Sequence, residues 1–294
     1  MSASVSNTRR GLLLGALGVF FFALTIPMTR LAVGNGQAPQ LTPAFVAMGR
    51  AAVAGVLSMA YLRFTGARRP TLHEARWLLL TALGVVFGWP LLLGLAVQRV
   101  DAIHAAVITG VLPLATAGVG AVMLRQRPPI GFWLCALAGL ALVLGFAAWR
   151  GAGGLQAADA LLFGAVMATS FGYVTGARLT RALSPEQVIS WLLVLCLPVT
   201  LPLALWLAPR APISAAAWGG FAYVSLFSMW LGFFAWYRAL ALGGTLRVSQ
   251  VQVIQPFLSM LLAVPLLGEQ LDAMTVVFAL AVIAVVWVGK RMPV

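Results

Sequence analysis

Charged side chains are scarce in this sequence of 294 residues. Lys and Arg together number 19, Asp and Glu together number six, and charged residues make up 9% of the chain. Soluble domains carry roughly 25% charged residues, so this chain cannot cover the surface of a soluble domain of its size. Because 62% of the residues are hydrophobic and the mean hydropathy is +1.00, the composition predicts an integral membrane protein.

Cysteine is also rare, and both cysteines, Cys135 and Cys196, lie inside apolar runs. That placement indicates small buried hydrophobic residues rather than a disulfide or a pair of metal ligands. The sequence contains no GxxxxGK[ST] phosphate-binding loop, which a chain with its own ATPase activity needs. We therefore predict no metal site, no other cofactor and no ATPase activity.

The few acids all fall at the ends of apolar runs or in the links between them, so we expect no buried acid. An intramembrane enzyme needs a nucleophile with a base, or a set of metal ligands, inside the membrane. The chain is therefore predicted not to be an enzyme. Transport coupled to protons through a buried carboxylate is disfavoured for the same reason. The six acids are Glu74, Asp101, Asp159, Glu186, Glu269 and Asp272.

Long apolar runs bounded by charge, Gly or Pro occupy nearly the whole chain. A spanning helix takes about 20 apolar residues, so these runs predict ten transmembrane helices and leave no room for a soluble domain. The predicted spans are 11–33, 42–64, 77–98, 102–124, 130–149, 158–180, 187–208, 216–240, 246–267 and 273–289.

The basic residues indicate how the chain lies in the membrane. With a cytoplasmic N-terminus, 14 of the 19 basic residues fall at inside positions and four at outside positions, and Arg50 lies within a span. This asymmetry follows the positive-inside rule. It predicts a multi-pass protein of a bacterial-type inner membrane with both termini in the cytoplasm, and it explains the net charge of +13 without a nucleic-acid partner.

An internal repeat relates the two halves of the chain. Residues 95–126 align with 238–269 at an offset of 143, which pairs Pro113 with Pro256 and Gln126 with Glu269. Two repeats of five spans follow, 1–150 and 151–294. Because five is odd, the second repeat is inverted in the membrane, an arrangement typical of secondary transporters with a central cavity between the repeats.

Three stretches carry a family resemblance. RVSQVQVIQPFLSMLLAVPLLGEQLD (247–272) resembles the ninth helix of the EamA-like family in the drug/metabolite transporter superfamily, with a mid-helix Pro and a later Leu-Gly-Glu. AAVITGVLPLATAGVGAVMLRQRP (105–128) resembles the fourth helix, with Gln126 where the family usually has Glu, and TPAFVAMGRAAVAG (42–55) resembles the second. Among its members, the chain is most similar to exporters of aromatic amino acids of the YddG kind. The resemblance implies that helices 1–4 and 6–9 surround the cavity and that helices 5 and 10 lie outside it.

Arg50 is the one clear charge within a predicted span. A guanidinium at that depth is costly and normally faces a cavity or a partner. One interpretation is an anchor for a substrate carboxylate, which Arg binds through two parallel hydrogen bonds. The other is a structural role, in which Arg50 caps carbonyls freed where Pro27 or another proline interrupts a helix.

Polar residues follow one stripe of the ninth span: Ser249, Gln252, Gln255 and Ser259 are three or four residues apart. Amides offer donors and acceptors that suit a zwitterionic solute. Bonds between helices are the alternative, but the two glutamines beside Pro256 favour a cavity wall. We therefore expect Ser249, Gln252 and Gln255 to bind substrate.

Aromatic residues within the spans form a second candidate set. Trp89, Trp230 and Tyr173 are expected in mid-membrane, where they either form an aromatic box for a flat substrate or pack in the core. Gly84/Gly88 and Gly172/Gly176 permit close helix contacts. Four prolines are predicted bend points, namely Pro27, Pro90, Pro113 and Pro256.

Together these patterns predict a secondary transporter that moves a small metabolite by alternating access and does not require an oligomer. Amino-acid export, with aromatic residues favoured, is the leading hypothesis. A lipophilic cation or a sugar derivative is an alternative cargo, although a cation pocket would need buried acids and little Arg. An intramembrane enzyme or a passive channel is less consistent with these residues and with an inverted repeat.

Overall fold

A computed structural model describes residues 2–123, 125, 129–151, 154–180, 182–243, 251 and 254–290. Within those ranges the regular structure is helical, apart from one isolated bridge between Gly34 and Pro39. The helices are α1 (Ser2–Ala23), α2 (Thr25–Val33), α3 (Pro43–Phe64), α4 (Leu72–Ala82), α5 (Trp89–Val97), α6 (Ala102–Thr109), α7 (Leu112–Met123), α8 (Ile130–Arg150), α9 (Ala157–Leu179), α10 (Pro185–Trp206), α11 (Ala215–Tyr223), α12 (Gly232–Gly243), α13 (Gln255–Leu267) and α14 (Ala273–Lys290), with π-helical segments at Leu83–Gly88 and Val224–Leu231.

Eight helical stretches of the described chain are long and apolar enough to cross a membrane. Two shorter apolar helices, Gln255–Leu267 and Ala273–Gly289, follow them. The chain is thus a multi-pass membrane protein built from helices. Of the predicted ninth span, 246–267, the structure describes Val251 and the residues from Ile254 onward.

Capping residues explain where the third helix begins. The prediction placed its start at residue 77, whereas α4 starts at Leu72. The Thr71 hydroxyl accepts a bond from the Glu74 N–H at 3.2 Å, and the Glu74 carboxylate accepts one from the Thr71 N–H at 2.7 Å. This reciprocal capping box satisfies N–H groups of the first turn, so the helix extends past the apolar run that the hydropathy pattern identifies.

Each of the four predicted bend prolines lies in the first turn of a helix. Pro27 is the third residue of α2, and Pro90, Pro113 and Pro256 are the second residues of α5, α7 and α13. Proline has no N–H to donate to the preceding turn. The chain is accordingly interrupted at Leu24 before α2, by the π-helical segment Leu83–Gly88 before α5, and at Gly110–Val111 before α7.

Glycines allow two pairs of helices to touch along their backbones. A Cβ placed on Gly84 would lie 2.2 Å from the Ala168 carbonyl oxygen of α9. A Cβ placed on Gly220 of α11 would lie 2.6 Å from the Met28 carbonyl oxygen of α2. The α4–α5 stretch therefore packs tightly on α9, and the α11–α12 stretch packs tightly on α1 and α2.

Helices α8 and α14 pack on each other at the edge of the bundle. Leucines on both helices are largely exposed, for example Leu137 at 62% and Leu280 at 52%. Exposed apolar surface of this extent suits contact with lipid acyl chains. The remaining helices enclose the interior, where α3 packs on α10 and α5 packs on α9.

Candidate functional site

A cavity of about 40 Å³ lies in the middle of the bundle. Clefts that bind small molecules measure roughly 300–1,000 Å³, so the site is contracted in this structure and a ligand with a ring requires its walls to part. The lining residues come from both halves of the sequence and combine aromatic with polar side chains: Phe22, Thr25, Arg50, Val85, Trp89, Leu112, Thr169, Tyr173, Ser228, Met229, Phe233 and Gln255.

Arg50 contributes the charge of this cavity. Its side chain is held on α3, which begins with Thr42 as N-cap and Pro43 in its first turn, and the residue is 2% exposed. Its Nη2 donates to the Ser228 hydroxyl at 2.9 Å, and that hydroxyl lies 2.8 Å from the Thr25 hydroxyl. The Nε–H of Arg50 is buried and has no hydrogen-bond partner among the described residues.

An unpaired N–H on a buried guanidinium is costly, since a hydrogen bond to a charged group contributes about 1.5–3 kcal/mol. None of the described lining residues is acidic, so no carboxylate of this wall neutralises the charge. The structural interpretation has Arg50 donating to backbone carbonyls freed by a proline. In the structure its Nη2 donates to the side-chain hydroxyl of Ser228 instead. The arrangement leaves Arg50 able to donate to an acceptor in the cavity.

Two of the three predicted aromatic residues, Trp89 and Tyr173, line the cavity, and Trp230 does not. Trp230 packs on Phe234, with ring centroids 5.2 Å apart, and its Nε1 is buried with no partner among the residues described. Because Val224–Leu231 is π-helical, the residues here are displaced from α-helical register. Phe233, one turn further on, faces the cavity instead.

The ninth-span residues are only partly within the described chain. Ser249 and Gln252 lie outside the described residues. Gln255 lines the central cavity, and its Oε1 is buried with no partner in the ranges that the structure describes. Ser259, one turn later, is 2% exposed, and its hydroxyl likewise has no partner in those ranges.

A second, smaller cavity of about 20 Å³ adjoins the first, with which it shares Trp89, Leu112 and Gln255. It lies where the interruption between α6 and α7 meets the start of α13. The other residues that line it are Ile26, Thr109, Pro113, Pro256 and Ser259.

Several lining residues were missed from the sequence. Phe22, Met229 and Phe233 carry no polar atom and cannot be distinguished by sequence from core residues. Ser228 and Thr169 resemble the many small polar residues of membrane helices. The available signal was Arg50 itself, because an Arg near the middle of a span needs polar neighbours.

A set of polar contacts, the polar cluster, joins several helix ends on one side of the bundle. Arg150 lies 3.3 Å from Asp101 and 3.4 Å from Asp272, and Arg30 lies 3.8 Å from Asp101. Glu269 completes the cluster, because its carboxylate accepts bonds from the first two N–H groups of α6, those of residues 102 and 103, at 2.7 and 2.8 Å. The cluster thus ties the segment after α13 to the start of α6.

The expectation that no acid is buried was wrong. Asp159 is 1% exposed and Glu74 is 8% exposed. Asp159 accepts a bond from the Gln156 N–H at 2.8 Å and lies 2.6 Å from His104 Nε2. Both acids occupy the third position of a helix, where a carboxylate caps the first turn. An acid at the end of a span is therefore not necessarily exposed when the helix starts inside the protein.

Two larger grooves, of about 570 and 500 Å³, are lined almost entirely by apolar side chains. Their walls include largely exposed residues such as Val122 and Leu205. They lie on surfaces suited to lipid and carry no group that recognises a polar solute.

Apolar helices around a small polar and aromatic cavity are typical of membrane transporters, and comparisons with known proteins point to the same class. The model of the EamA-like transporter family matches residues 9–147 and 156–288. The chain therefore belongs to the EamA-like transporter family.

Individual relatives are consistent with this assignment. The chain is 42% identical to "Uncharacterized transporter YdeK" of Bacillus subtilis (strain 168) over 289 residues, which cover 98% of this chain and 99% of that protein. A solved crystal structure of a protein matches with a TM-score of 0.64, covers 95% of both chains and is 16% identical in sequence. That likeness concerns the fold alone.

Proposed function

We propose that this protein is a secondary transporter that exports amino acids, aromatic ones in preference, by alternating access across a bacterial-type inner membrane. The observation that carries the proposal is the unpaired Nε–H of Arg50 in a cavity with aromatic walls. Substrate binding is assigned to Arg50, Trp89, Tyr173 and Gln255, with Phe233 added from the structure.

Arg50 supports a carboxylate ligand in particular. The guanidinium presents its donors in a planar fork that matches both oxygens of a carboxylate. Ser228 binds one terminal nitrogen at 2.9 Å, which restricts the orientation of the fork and leaves Nε–H free. A positively charged cargo is disfavoured, because it would approach an Arg with no acid among the described lining residues.

The walls of the cavity support a flat apolar side chain. Phe22, Trp89, Tyr173 and Phe233 surround the same space as Arg50. Aromatic pairs contribute about 0.5–1.5 kcal/mol beyond the burial of their area. A ligand with a carboxylate at one end and a phenyl or indole ring at the other would satisfy both features of the site.

The proposed architecture is ten spans in two inverted repeats, 1–150 and 151–294. In support, the α4–α5 stretch packs on α9 just as the α11–α12 stretch packs on α1 and α2. The π-helical segment Val224–Leu231, shifted back by the repeat offset of 143, overlaps Leu83–Gly88. Such correspondence is expected when two homologous halves pack around a pseudo-two-fold axis.

Alternating access requires contacts between the halves that break on one side of the membrane. The bonds from the start of α6 to Glu269 and from His104 to Asp159 join residues of the first proposed repeat to residues of the second. The bend prolines supply weakened points in the helices.

In the proposed orientation the contacts of Glu269 and Asp159 with α6 face outward. A reporter fused after Val33 should therefore read outside, and one fused after Val294 should read inside.

The direct test is uptake of radiolabelled amino acids by proteoliposomes that contain the purified protein. Wild-type protein should move phenylalanine and tryptophan faster than alanine. Arg50→Lys should keep the fold but weaken transport of amino acids, because a point charge replaces a bidentate fork. Arg63→Lys, an exposed change near the end of the same helix, is the matched control.

Amide analogues separate the two interpretations of Arg50. Phenylalaninamide lacks the carboxylate, so wild-type and Arg50→Lys proteins should handle it equally. If Arg50→Lys instead lowers the melting temperature in detergent and slows every cargo alike, Arg50 is structural. If wild-type protein moves aliphatic and aromatic amino acids equally well, the aromatic preference is refuted.

A further inference from the structure

The smaller cavity beside the Arg50 site is walled by oxygen acceptors. Gln255 Oε1 and the Ser259 hydroxyl are buried, and neither has a hydrogen-bond partner within the described part of the chain. The Thr109 hydroxyl donates to the Ala105 carbonyl at 2.8 Å, which leaves its oxygen free to accept. The Thr109 carbonyl cannot receive the usual helical bond from four residues later, because residue 113 is proline.

The charge and size of this cavity restrict what it can hold. Its described lining residues include no positively charged side chain and no acid. Its volume of about 20 Å³ suffices for one group of the size of water, which needs about 10–15 Å³ measured in this way. A group that only donates hydrogen bonds matches these acceptors, and an ammonium has three N–H donors and no acceptor.

A free metal cation matches less well than an ammonium that is covalently joined to a carboxylate. Arg50 already places one positive charge in the adjoining cavity, and Gln255 lines both cavities. A separate cation would add a second positive charge in a region of low dielectric, where repulsion is strong. A zwitterion adds no net charge, because its carboxylate faces Arg50 while its ammonium lies among the oxygens.

We propose that the small cavity lined by Thr109, Gln255 and Ser259 is the ammonium subsite, and that it makes the transporter specific for acids with a free amino group. This inference rests on the proposed function, since it assumes a carboxylate at Arg50. The cavity thereby excludes acids that lack the amino group and acids whose amino group is acylated.

The test compares three ligands that share a phenyl ring and a carboxylate: phenylalanine, 3-phenylpropionate and N-acetylphenylalanine. Binding to purified full-length protein is measured by competition with radiolabelled phenylalanine. Wild-type protein should bind phenylalanine at least about tenfold more tightly than the other two, because about 1.4 kcal/mol corresponds to a tenfold change and one hydrogen bond to a charged group supplies that much.

Ser259→Ala removes one acceptor of the subsite, and Ser58→Ala is the matched control. Ser58 is also a fully buried serine with no partner in the described chain, but it lies on α3 and lines neither cavity. Ser259→Ala should weaken phenylalanine binding about tenfold and leave 3-phenylpropionate unchanged. Ser58→Ala should leave both affinities as in the wild type.

Other outcomes would overturn the inference and would be distinguishable from a failure of the proposed function. If 3-phenylpropionate binds as tightly as phenylalanine, or Ser259→Ala affects both ligands alike, the cavity is not an ammonium subsite, although Arg50 can still bind carboxylates. If phenylalanine binding requires Na⁺ and Ser259→Ala abolishes that requirement, the cavity binds a metal cation. If wild-type protein binds none of the three acids, both proposals fail.

Discussion

Replacing Glu269 with alanine tests whether the polar cluster holds the start of α6 in place. The Glu269 carboxylate accepts bonds from the N–H groups of residues 102 and 103 at 2.7 and 2.8 Å. Asp101, the N-cap residue of α6, makes no capping bond with its side chain, so Glu269 takes over that role from a distant part of the chain. Its removal leaves the first turn of α6 without an acceptor.

The size of the effect follows from those two bonds. Loss of a helix N-cap costs about 0.5–2 kcal/mol. Glu269→Ala should therefore lower the free energy of unfolding by roughly 0.5–2 kcal/mol. Glu269→Gln should lose about half as much or less, because the amide oxygen can still accept one of the two bonds.

Thermal unfolding in detergent and thiol labelling provide the assays. Gln270→Ala is the matched control, since Gln270 is the exposed neighbour of Glu269. Cysteine introduced at Ala105, which is fully buried in α6, should react faster with a membrane-impermeant maleimide in the Glu269→Ala background. If Glu269→Ala melts at the wild-type temperature and labels at the wild-type rate, the polar cluster does not hold α6 in place.

Three further predictions concern the protonation of Glu269, a close contact between helices and a wall of the central cavity. Burial raises the pKa of Glu269 above its ordinary value, against the opposing effect of its backbone N–H bonds. The folded state therefore binds the proton more tightly than the unfolded state, and the stability of wild type relative to Glu269→Gln should rise as the pH falls from 7 towards 4.5; a relative stability that falls over that range contradicts this. Gly84→Ala should cost about 1–3 kcal/mol in unfolding measurements, whereas Gly219→Ala, whose Cβ meets nothing within 4 Å, should cost little; equal costs would refute the close contact. Phe233→Ala should lower phenylalanine transport about tenfold through lost burial and lower it more than Trp230→Ala does, and the reverse order would favour Trp230 as the wall residue.

The sequence predicts the spans well because a membrane helix must be apolar along most of its length. The structure agrees to within one residue at both ends of α3 and α8, whose predicted spans were 42–64 and 130–149. The start of α4 was misplaced by five residues, from 77 to Leu72, because a capping box extends that helix through polar residues. Hydropathy alone does not record such local hydrogen bonds.

The candidate site was only partly predictable. Arg50 stands out because a charge within a span is expensive, and Trp89 and Tyr173 stand out by size and position. Trp230 was expected beside them because it lies near the middle of its span, but depth in the membrane does not determine which face of a helix a residue occupies, and Trp230 packs on Phe234 instead. Phe233 was missed because an apolar wall of a cavity has the same composition as a packed core.

Arg50 carries a positive charge, and none of the described lining residues is an acid that would neutralise it. This charge affects how transport responds to the membrane potential. One elementary charge moved across 100 mV exchanges about 2.3 kcal/mol with the field. The proposed zwitterionic cargo has no net charge, so the loaded and the empty transporter would move the same charge through the field. The contribution of Arg50 on the outward step would then be cancelled on the return step. For such a cargo without a coupled ion, voltage would change the rate of each step but perform no net work over a cycle, and the concentrations of the proposed amino acid on the two sides would set the direction of transport.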